Sequence, residues 1–555
     1  MVTTVLELDL TTPILEAPPS DPLGAALTRR RPLLRDLVEG LYLAAEDDEV
    51  AGLVAHIGSS APALSQTQEL RDAVRHFAAS GKRTVAWAES FGELGPGTVP
   101  YYLATAFDEI WIQPSGDVGL TGVMAQAVFV KDALAKLGVE PQLSRRREYK
   151  NAADMFLSSS MTDAHREAAG RLAASAMEQV VAGVASRRSL TEERVRELVD
   201  LAPLSAALAL EHGLVDRLGY RDEVYSSLRS SLGESRLRFV HRYRRARLME
   251  PRTAFNRFSR RPAVAVVHGA GDIHLGRGGR RGFGGGTSIG SESLSAAIRS
   301  AAQAPDVHAI VLRVDSPGGS YVASDAIRRE VIRARGTGKP VIVSMGSAAA
   351  SGGYFISMAS DTIVAQPGTL TGSIGVFGGK AVVRGLLDRV GVAFDSVSEG
   401  AQAEMFSSYE KFTPAEWERL EEWLDRVYED FTAKVADDRG LSRERVEEIA
   451  RGRVWTGADA HSRGLVDELG GLERALDIAC ARSGLDRDEV EVRTVPRLGF
   501  LERFRTPESS EDLPAAAALS FGPGGGLAGP AAALAAAFGV PPAGVLTAPV
   551  LFTLR

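Results

Sequence analysis

A single cysteine, Cys480, occurs in 555 residues. That excludes an intramolecular disulfide framework and argues against a cysteine-based zinc site; a buried small hydrophobe is the expected role. The nine histidines lack HExxH spacing, so neither a metal nor another cofactor is expected. Positive charge is not in excess either: 64 Lys+Arg stand against 71 Asp+Glu, a formal net charge of -7. No bulk basic field therefore recommends nucleic acid as a partner. The local basic runs, Arg145-Arg146-Arg147 and the stretch from Arg236 to Arg261, read as solvated faces or a linker. Long apolar runs are also missing. The opening MVTTVLELDLTTPILEAPPSDP places acids within its first ten residues and has no basic-then-apolar order, so neither a signal peptide nor a membrane anchor is expected there. Leu513 to Leu554 carries no charge, but glycine and proline interrupt each apolar stretch before about 18 residues accumulate. A disordered tail is expected rather than a spanning helix, with peripheral membrane contact left open. Gly276 to Gly286 lacks the GxxxxGK[ST] order, which excludes a phosphate loop and leaves a mobile segment as the reading.

What is present is an internal duplication. EVAGLVAHIGSSAP (Glu49 to Pro62) resembles DVHAIVLRVDSPGG (Asp306 to Gly319) at an offset of 257 residues, and GKRTVAW from Gly81 answers GKPVIVS from Gly338 at the same offset. YYLATAFDEIWIQP from Tyr101 matches YFISMASDTIVAQP from Tyr354 at 253, and EHGLVDRLG (Glu211 to Gly219) matches SRGLVDELG (Ser462 to Gly470) at 251. Four blocks in one order, with slowly drifting offsets, indicate two copies of one domain. Within each copy a β-branched apolar run, a Gly/Pro turn, a helical pattern and another β-branched run follow one another. That order predicts βαβ units and an α/β domain. A long charged helix should follow in each copy, with Thr162 and Thr413 as N-caps. The expected division is 1–228 for the first copy, 229–261 for a basic linker or bridging helix, 262–485 for the second copy, and 486–555 for an Ala/Gly/Pro-rich, flexible extension.

Chemistry is concentrated in SMGSAAASGGYFISMASD, from Ser344 to Asp361. A β-run ending at Met345 leads through small residues to Ser351, and Gly352-Gly353 opens a helical pattern. The hydroxyl is thereby placed beside backbone N–H groups that have no intrahelical partner, where an acyl-transfer oxyanion can be held. A second turn, DSPGGS from Asp315 to Ser320, also ends a strand, and Gly318-Gly319 can turn N–H groups toward a substrate carbonyl. Neighbouring strand ends of a parallel sheet lie on one edge, so the two turns can face one cavity. Taken singly, each is only a tight turn packing a helix on a sheet. The duplication supplies a control: the first copy has Ala61-Pro62 for Gly318-Gly319, Thr98 for Ser351, and Val99-Pro100 for Gly352-Gly353. A proline nitrogen donates no hydrogen bond. Features needed for folding alone would be required in both copies, so their restriction to the second favours function.

No histidine follows Ser351 until His461, and His268, His274 and His308 show no triad order with an acid. A Ser–Lys pair is the economical alternative. Lys150, in RRREYKNAADMF, is the leading base; aligning Met155-Phe156 with Met405-Phe406 places its counterpart near Gly400, where no lysine occurs. Alone it reads as a surface lysine. Lys339, Lys380 and Lys411 are its rivals, although Lys339 recurs as Lys82 in the copy without the serine and so looks structural. Any lysine acting as a base near neutrality must release its proton well below its ordinary pKa of about 10.4, which burial under apolar neighbours accomplishes. Ser373, in LTGSIGV, either orients the amine or is a turn serine; the first copy has Val123 or a neighbour at that place.

These residues resemble the long, two-domain form of the signal peptide peptidase A (protease IV) family. The strongest blocks are AIVLRVDSPGGS, SMGSAAASGGYFIS, TLTGSIGV, VWTGADA and GLVDELG, and the similarity runs to about residue 485. The resemblance implies a crotonase-like (Clp protease-related) fold in both halves, and a Ser–Lys dyad between them with the family's YK motif on Tyr149-Lys150 and its serine on Ser351. It also implies a homotetramer with inward-facing sites, and apolar peptide substrates such as released signal peptides. Members with this architecture commonly begin with a transmembrane anchor, and this sequence departs from them there; the expected location is the cytoplasm or the periphery of the cytoplasmic membrane. Two other functions share the glycine turns: a crotonase-type acyl-CoA enzyme and a non-catalytic scaffold for apolar peptides. A serine directly before the glycine pair favours the peptidase.

Overall fold

The computed structural model describes residues 3–18, 31–58, 62–233, 235–249, 261–280, 287–495, 546–547 and 553–554. Most of the expected flexible tail (496–545, 548–552), part of the basic stretch (250–260) and part of the glycine-rich segment (281–286) lie outside the described residues.

The first half contributes β1 (Thr3–Leu10), β2 (Val50–Ile57), β3 (Arg83–Ala88), β4 (Glu109–Ile112), β5 (Glu140–Arg146), β6 (Arg217–Leu218) and β7 (Ser235–Phe239). All but β5 form a parallel sheet in the order β7-β1-β2-β3-β4-β6. The described part of the basic stretch up to residue 249 is built into the first half: β7 forms the edge of its sheet, and the helix Val240–Met249 packs on the helix Leu34–Ala45.

The second half contributes β8 (Ala263–Ala270), β9 (Asp272–His274), β10 (Val307–Ser316), β11 (Gly318–Gly319), β12 (Val341–Ala350), β13 (Leu370–Gly372), β14 (Val376–Val382), β15 (Val454–Thr456) and β16 (Glu491–Val495). Its main sheet runs β15-β13-β12-β10-β8-β16 and is parallel except between β13 and β15. A short strand β17 (Leu546–Thr547) belongs to the C-terminal extension. Both halves are α/β domains built on a largely parallel sheet.

The reason the apolar runs become central strands is visible in β10. Ala309 and Val311 pack with the helix Leu472–Ser483, where Cys480 is buried. Ile310, Leu312 and Val314 face the opposite layer, which contains Ile327, Val331, Leu424 and Phe431. A strand covered by helices on both faces needs apolar residues at every position rather than at alternate ones. The duplication extends to side-chain detail. Lys82 Nζ donates to the carbonyls of Ala44, Ala45 and Asp47, and Lys339 Nζ to those of Ala301 and Ala304. Tyr101 and Tyr354 both hydrogen-bond a leucine carbonyl, at Leu214 and Leu465. The two long helices, Asp163–Arg188 and Pro414–Arg439, are each capped by the expected threonine: Thr162 accepts from the His165 N–H and Thr413 from the Glu416 N–H.

Many contacts join the halves, among them Gln68 accepting from the Gly368 N–H and Arg171 donating to Asp459; a strand pairing and a buried charge cluster are two of them. Strand β5 leaves its own half and pairs antiparallel with β14, from Arg146 opposite Val376 to Glu140 opposite Val382. Beside the sheets, Arg313 of β10 donates to Glu16 Oε1 at 2.6 Å and to Glu69 Oε2 at 2.8 Å, both from the first half. Glu69 also accepts from the Leu472 N–H at 2.9 Å. All three side chains are almost wholly enclosed. Burial alone would disfavour these charges, and the Arg313 guanidinium keeps Glu16 below its ordinary range while its own pKa is raised by the two carboxylates. Removing one partner of such a group leaves the others charged and uncompensated. Arg313→Met is accordingly expected to lower unfolding stability by about 3–5 kcal/mol in denaturant titrations; a loss within about 0.5 kcal/mol, the range of an ordinary surface change, would show that the cluster does not hold the halves together.

Candidate active site

The strand before Ser351 is longer than the small-residue pattern suggests. Instead of stopping at Met345, β12 continues to Ala350, changing register after Val314 so that Ser316 faces Ala349 while Ala348–Ala350 pair with β13. Gly346 permits the change: a Cβ there would come within 2.9–3.1 Å of the Asp315 side chain. The Asp315 carboxylate accepts the Ala348 N–H at 3.0 Å and also bonds the Ser347 N–H, tying the strand that carries Ser351 to the strand that leads into Gly318. Burial and the neighbouring Glu16 raise this carboxyl to about 6.

Ser351 sits at the hinge between β12 and the helix Gly352–Ser357, with φ +55°, ψ −113°, its N–H donating to the Gly372 carbonyl at 2.8 Å. A non-glycine residue at positive φ is strained unless its surroundings hold it, and such strain clusters at functional sites. The two glycine turns do meet. A Cβ on Gly352 would lie 3.0 Å from Gly319 N and 3.1 Å from Gly318 Cα, so only glycine allows this approach. Gly318 and Gly319 are at φ +114° and +152° and are buried. The Gly318 N–H faces Ser316 Oγ at 3.2 Å. Of the three glycines expected to present N–H groups, Gly318 therefore already has a partner.

Lys150 arrives from the first half. After β5 crosses to β14, the chain turns so that the Tyr149 N–H reaches the Arg451 carbonyl and the Lys150 side chain enters the second half. Its Nζ lies 2.7 Å from Ser351 Oγ, 3.0 Å from Ser373 Oγ and 3.1 Å from the Ser373 carbonyl. Ser373, at φ +52°, is locked by its own N–H on the Arg453 carbonyl. Lys150 and Ser351 are both 0% exposed. Burial pushes the Lys150 amine well below its ordinary pKa, and no carboxylate opposes that shift. The rival lysines are engaged elsewhere: Lys339 on helix-end carbonyls, Lys380 on the Met405 carbonyl at 2.9 Å, and Lys411 on Glu140 at 2.6 Å.

Three supporting residues escaped the sequence reading. Gly452, at φ +85°, has Lys150 against it so closely that a Cβ would stand 2.6–2.7 Å from the Lys150 N, Cα and Cβ. Asp154, four residues after Lys150, is buried, paired with Arg145 and 3.3 Å from the His165 ring. Asp315 is the third. The signal for two of them was available: at the offsets of their own blocks Asp315 answers Gly58, and Gly452 answers Leu201. The copy without the serine lacks both.

This arrangement can be set beside known proteins. The model of the family described as "Peptidase family S49" matches residues 76–234 and 333–486, once in each half. The chain belongs to peptidase family S49. Within that serine peptidase family, the chloroplastic serine protease SPPA of Arabidopsis thaliana is 33% identical over 464 residues, which cover 81% of this chain and 66% of the relative. Protease 4 of Salmonella typhi is 34% identical over 458 residues, 80% of this chain and 71% of the relative. The chain thus spans about two thirds of the length of these S49 relatives. Among solved structures, a ClpP1 variant from Listeria monocytogenes covers 38% of this chain and 93% of its own, at 15% identity and a TM-score of 0.24. Among the described residues, no helix is long and apolar enough to cross a membrane, and no group of three or more His, Cys, Asp or Glu is placed to hold a metal ion.

Two outcomes follow from the packing. Gly452→Ala must displace either its own loop or the Lys150 backbone, so peptide hydrolysis should fall by about a hundredfold or more with an unchanged circular dichroism spectrum; retention of full activity would show that the contact relaxes harmlessly. Lys150→Met should stabilise the protein near neutrality. The unfolded amine keeps its proton up to about pH 10.4 while the folded amine releases it earlier, so within that window the unfolded state binds more protons and wild-type stability rises with pH. The advantage of the methionine variant in thermal unfolding should therefore shrink as pH approaches 10.4, and an advantage independent of pH would contradict a neutral buried lysine.

Proposed function

We propose that the chain is a serine endopeptidase in which Ser351 is the nucleophile and Lys150 the general base, acting on short or unfolded apolar peptides such as released signal peptides. The observation that carries this reading is the 2.7 Å approach of an enclosed, carboxylate-free lysine amine to a strained serine hydroxyl. A neutral amine takes the hydroxyl proton as Oγ attacks the scissile carbonyl. The developing oxyanion is assigned to the N–H groups of Gly319 and Gly352, with Gly318 shaping the turn through its bond to Ser316. The lysine then returns the proton to the leaving amine, and a water deprotonated by the same amine releases the acyl group. Ser373 fixes the amine's position through two contacts. The chemistry requires no metal or cofactor. The family resemblance supports a homotetramer as the working form.

Ser351→Ala and Lys150→Ala are each expected to reduce cleavage of an apolar peptide by about 10⁴-fold or more while leaving the fold intact. A fluorophosphonate probe should label Ser351 in the wild type, which an acyl-CoA hydratase would not support. Because the base acts only when uncharged, kcat/KM should rise with pH through the Lys150 pKa, at values well below the ordinary lysine range, and level off above it. Lys150→Arg, permanently protonated, should be inactive at every pH. An active Lys150→Ala enzyme would end the assignment.

A further inference from the structure

Lys150 and the serine that orients it converge on one residue of the second half, Arg453, which directly precedes β15. Its carbonyl accepts the Ser373 N–H at 2.7 Å, fixing the residue whose hydroxyl and carbonyl both meet the Lys150 amine. Its guanidinium crosses to the first half, where Nη1 donates to Glu167 Oε1 at 2.7 Å. The other oxygen of that carboxylate accepts the Tyr149 hydroxyl at 2.8 Å. The same guanidinium stands 4.9 Å from the centroid of the Tyr149 ring and 4.4 Å from that of Trp455. Tyr149 immediately precedes Lys150, and its N–H is bound to the Arg451 carbonyl. With ring, hydroxyl and N–H all held, the backbone that carries the lysine has little freedom to shift.

Three features set Arg453 apart from an ordinary tie between the halves. First, its side chain is only 16% exposed and has an aromatic ring of each half against it. A planar guanidinium stacks on aromatic faces while its fork meets a carboxylate, so the geometry is fixed in a way a flexible ammonium does not match. Second, the duplication divides the partners as it divides the dyad. At an offset of 251 residues Arg453 answers Ala202, and at the offset of 250 that places Lys150 against Gly400, Tyr149 answers Glu399. Glu167 answers Glu418, an exposed carboxylate, so the acid recurs where neither of its partners does. Third, a neighbouring tie lacks the connection to the amine. Arg171 of the first half donates to Asp459 of the second at 2.8 and 3.0 Å, and its remaining hydrogen bonds among the described residues go to Glu178.

We infer that Arg453 is a positioning residue for the Ser351–Lys150 pair, acting through Tyr149 on the backbone of the base and through its own carbonyl on Ser373. This rests on the peptidase reading of the same site. Glu167 is the carboxylate that faces Arg453; nearby Arg451 is paired with Glu148, and Arg463, against the same Trp455 ring, is tied to Asp459. Without the guanidinium, Tyr149 loses its stacking partner and the lysine turn loosens. A displaced amine misses the reacting geometry, where an error of about 1 Å costs about a hundredfold. An amine reached by water also regains its proton nearer to neutrality.

The test uses the full-length protein. Arg453→Met keeps the carbonyl and the apolar stem but removes the guanidinium. For a fluorogenic apolar peptide at pH 7, kcat should fall about a hundredfold at unchanged KM, and the rise of kcat/KM with pH should move to higher pH. Arg453→Lys, which keeps the charge without the planar fork, should not restore the rate. Tyr149→Phe, which keeps the ring and drops the hydroxyl, should shift kcat and the pH profile in the same direction by less. Arg171→Met should leave both unchanged. Wild-type kcat and pH profile in Arg453→Met, or an equal loss in Arg171→Met, would overturn the inference. A double-mutant cycle in thermal unfolding reads the same contact without turnover: Lys150→Met should raise the unfolding midpoint less in the Arg453→Met protein than in the wild type, because the amine there is already hydrated. Equal gains in the two backgrounds refute positioning even if the wild type is an active peptidase. A smaller gain in the variant, with no peptide cleaved by the wild type, upholds positioning and refutes the chemistry.

Discussion

Everything at this site depends on keeping one amine uncharged. Lys150 reaches Ser351 Oγ at 2.7 Å with no exposed surface and no carboxylate beside it. An ammonium ion in that place would lack the solvation that stabilises it in water, so the proton leaves early and, under the proposed chemistry, the amine is free to accept one from a serine. The burial is made by both halves at once: the lysine comes from one, and Ser373, Gly452 and the strand end carrying Ser351 come from the other. Separating the halves would hydrate the amine and restore its charge. For this reason the crossing strand β5 and the enclosed Arg313 cluster belong to the catalytic argument as much as to stability.

The duplication explains how such a site can arise without new architecture. Each copy needs its sheet, its long helix and its helix-end lysine, and both retain them. The specialised residues are divided instead. Ser351, Gly318, Gly319, Asp315 and Gly452 stand in the second copy against Thr98, Ala61, Pro62, Gly58 and Leu201 in the first, while Lys150 stands in the first against a small residue in the second. A single copy holding both groups would have to bend its own chain between distant strand ends. Two docked copies bring those ends together as a by-product of packing.

Much of this was legible in the sequence because the comparison was internal. The offsets that aligned the motifs also align the elements: the helices Leu64–Ala79 and Tyr321–Arg335 start at equivalent residues, and Asp163–Arg188 and Pro414–Arg439 match at both ends. Complementary loss then singled out Ser351 and Lys150. What stayed hidden were long-range backbone choices. Nothing in the local pattern of EPQLSRR shows that β5 will abandon its own sheet for β14, since an alternating strand is satisfied by any partner edge. The extension of β12 past Met345 was missed for a related reason: glycine and alanine carry weak strand propensity, and here pairing with β13 overrides it. Asp315 and Gly452 were readable by the same control that found the glycine turns, but a lone aspartate or glycine draws attention only once its neighbour is known.

The enclosed amine also bears on which peptides such a site can accept. A substrate carboxylate seated near Lys150 would favour the ammonium form and silence the base, whereas an apolar side chain deepens the desolvation that keeps it neutral. Under the proposed chemistry, therefore, apolar preference does not require a dedicated recognition pocket near the scissile bond; it follows from the electrostatics of the base. The glycine edge adds a second filter of a different kind. Gly318 and Gly319 offer a buried backbone with no side chains, so under the same proposal they would select by conformation, favouring segments that are already extended. A helical apolar segment satisfies its own backbone and gains nothing from that edge, while an unfolded one gains a strand partner. Under the proposed reading, the first half, through the lysine, would disfavour charge at the scissile bond, and the second, through the glycines, would favour an extended segment, so each half would impose one condition on a short, unfolded, apolar substrate.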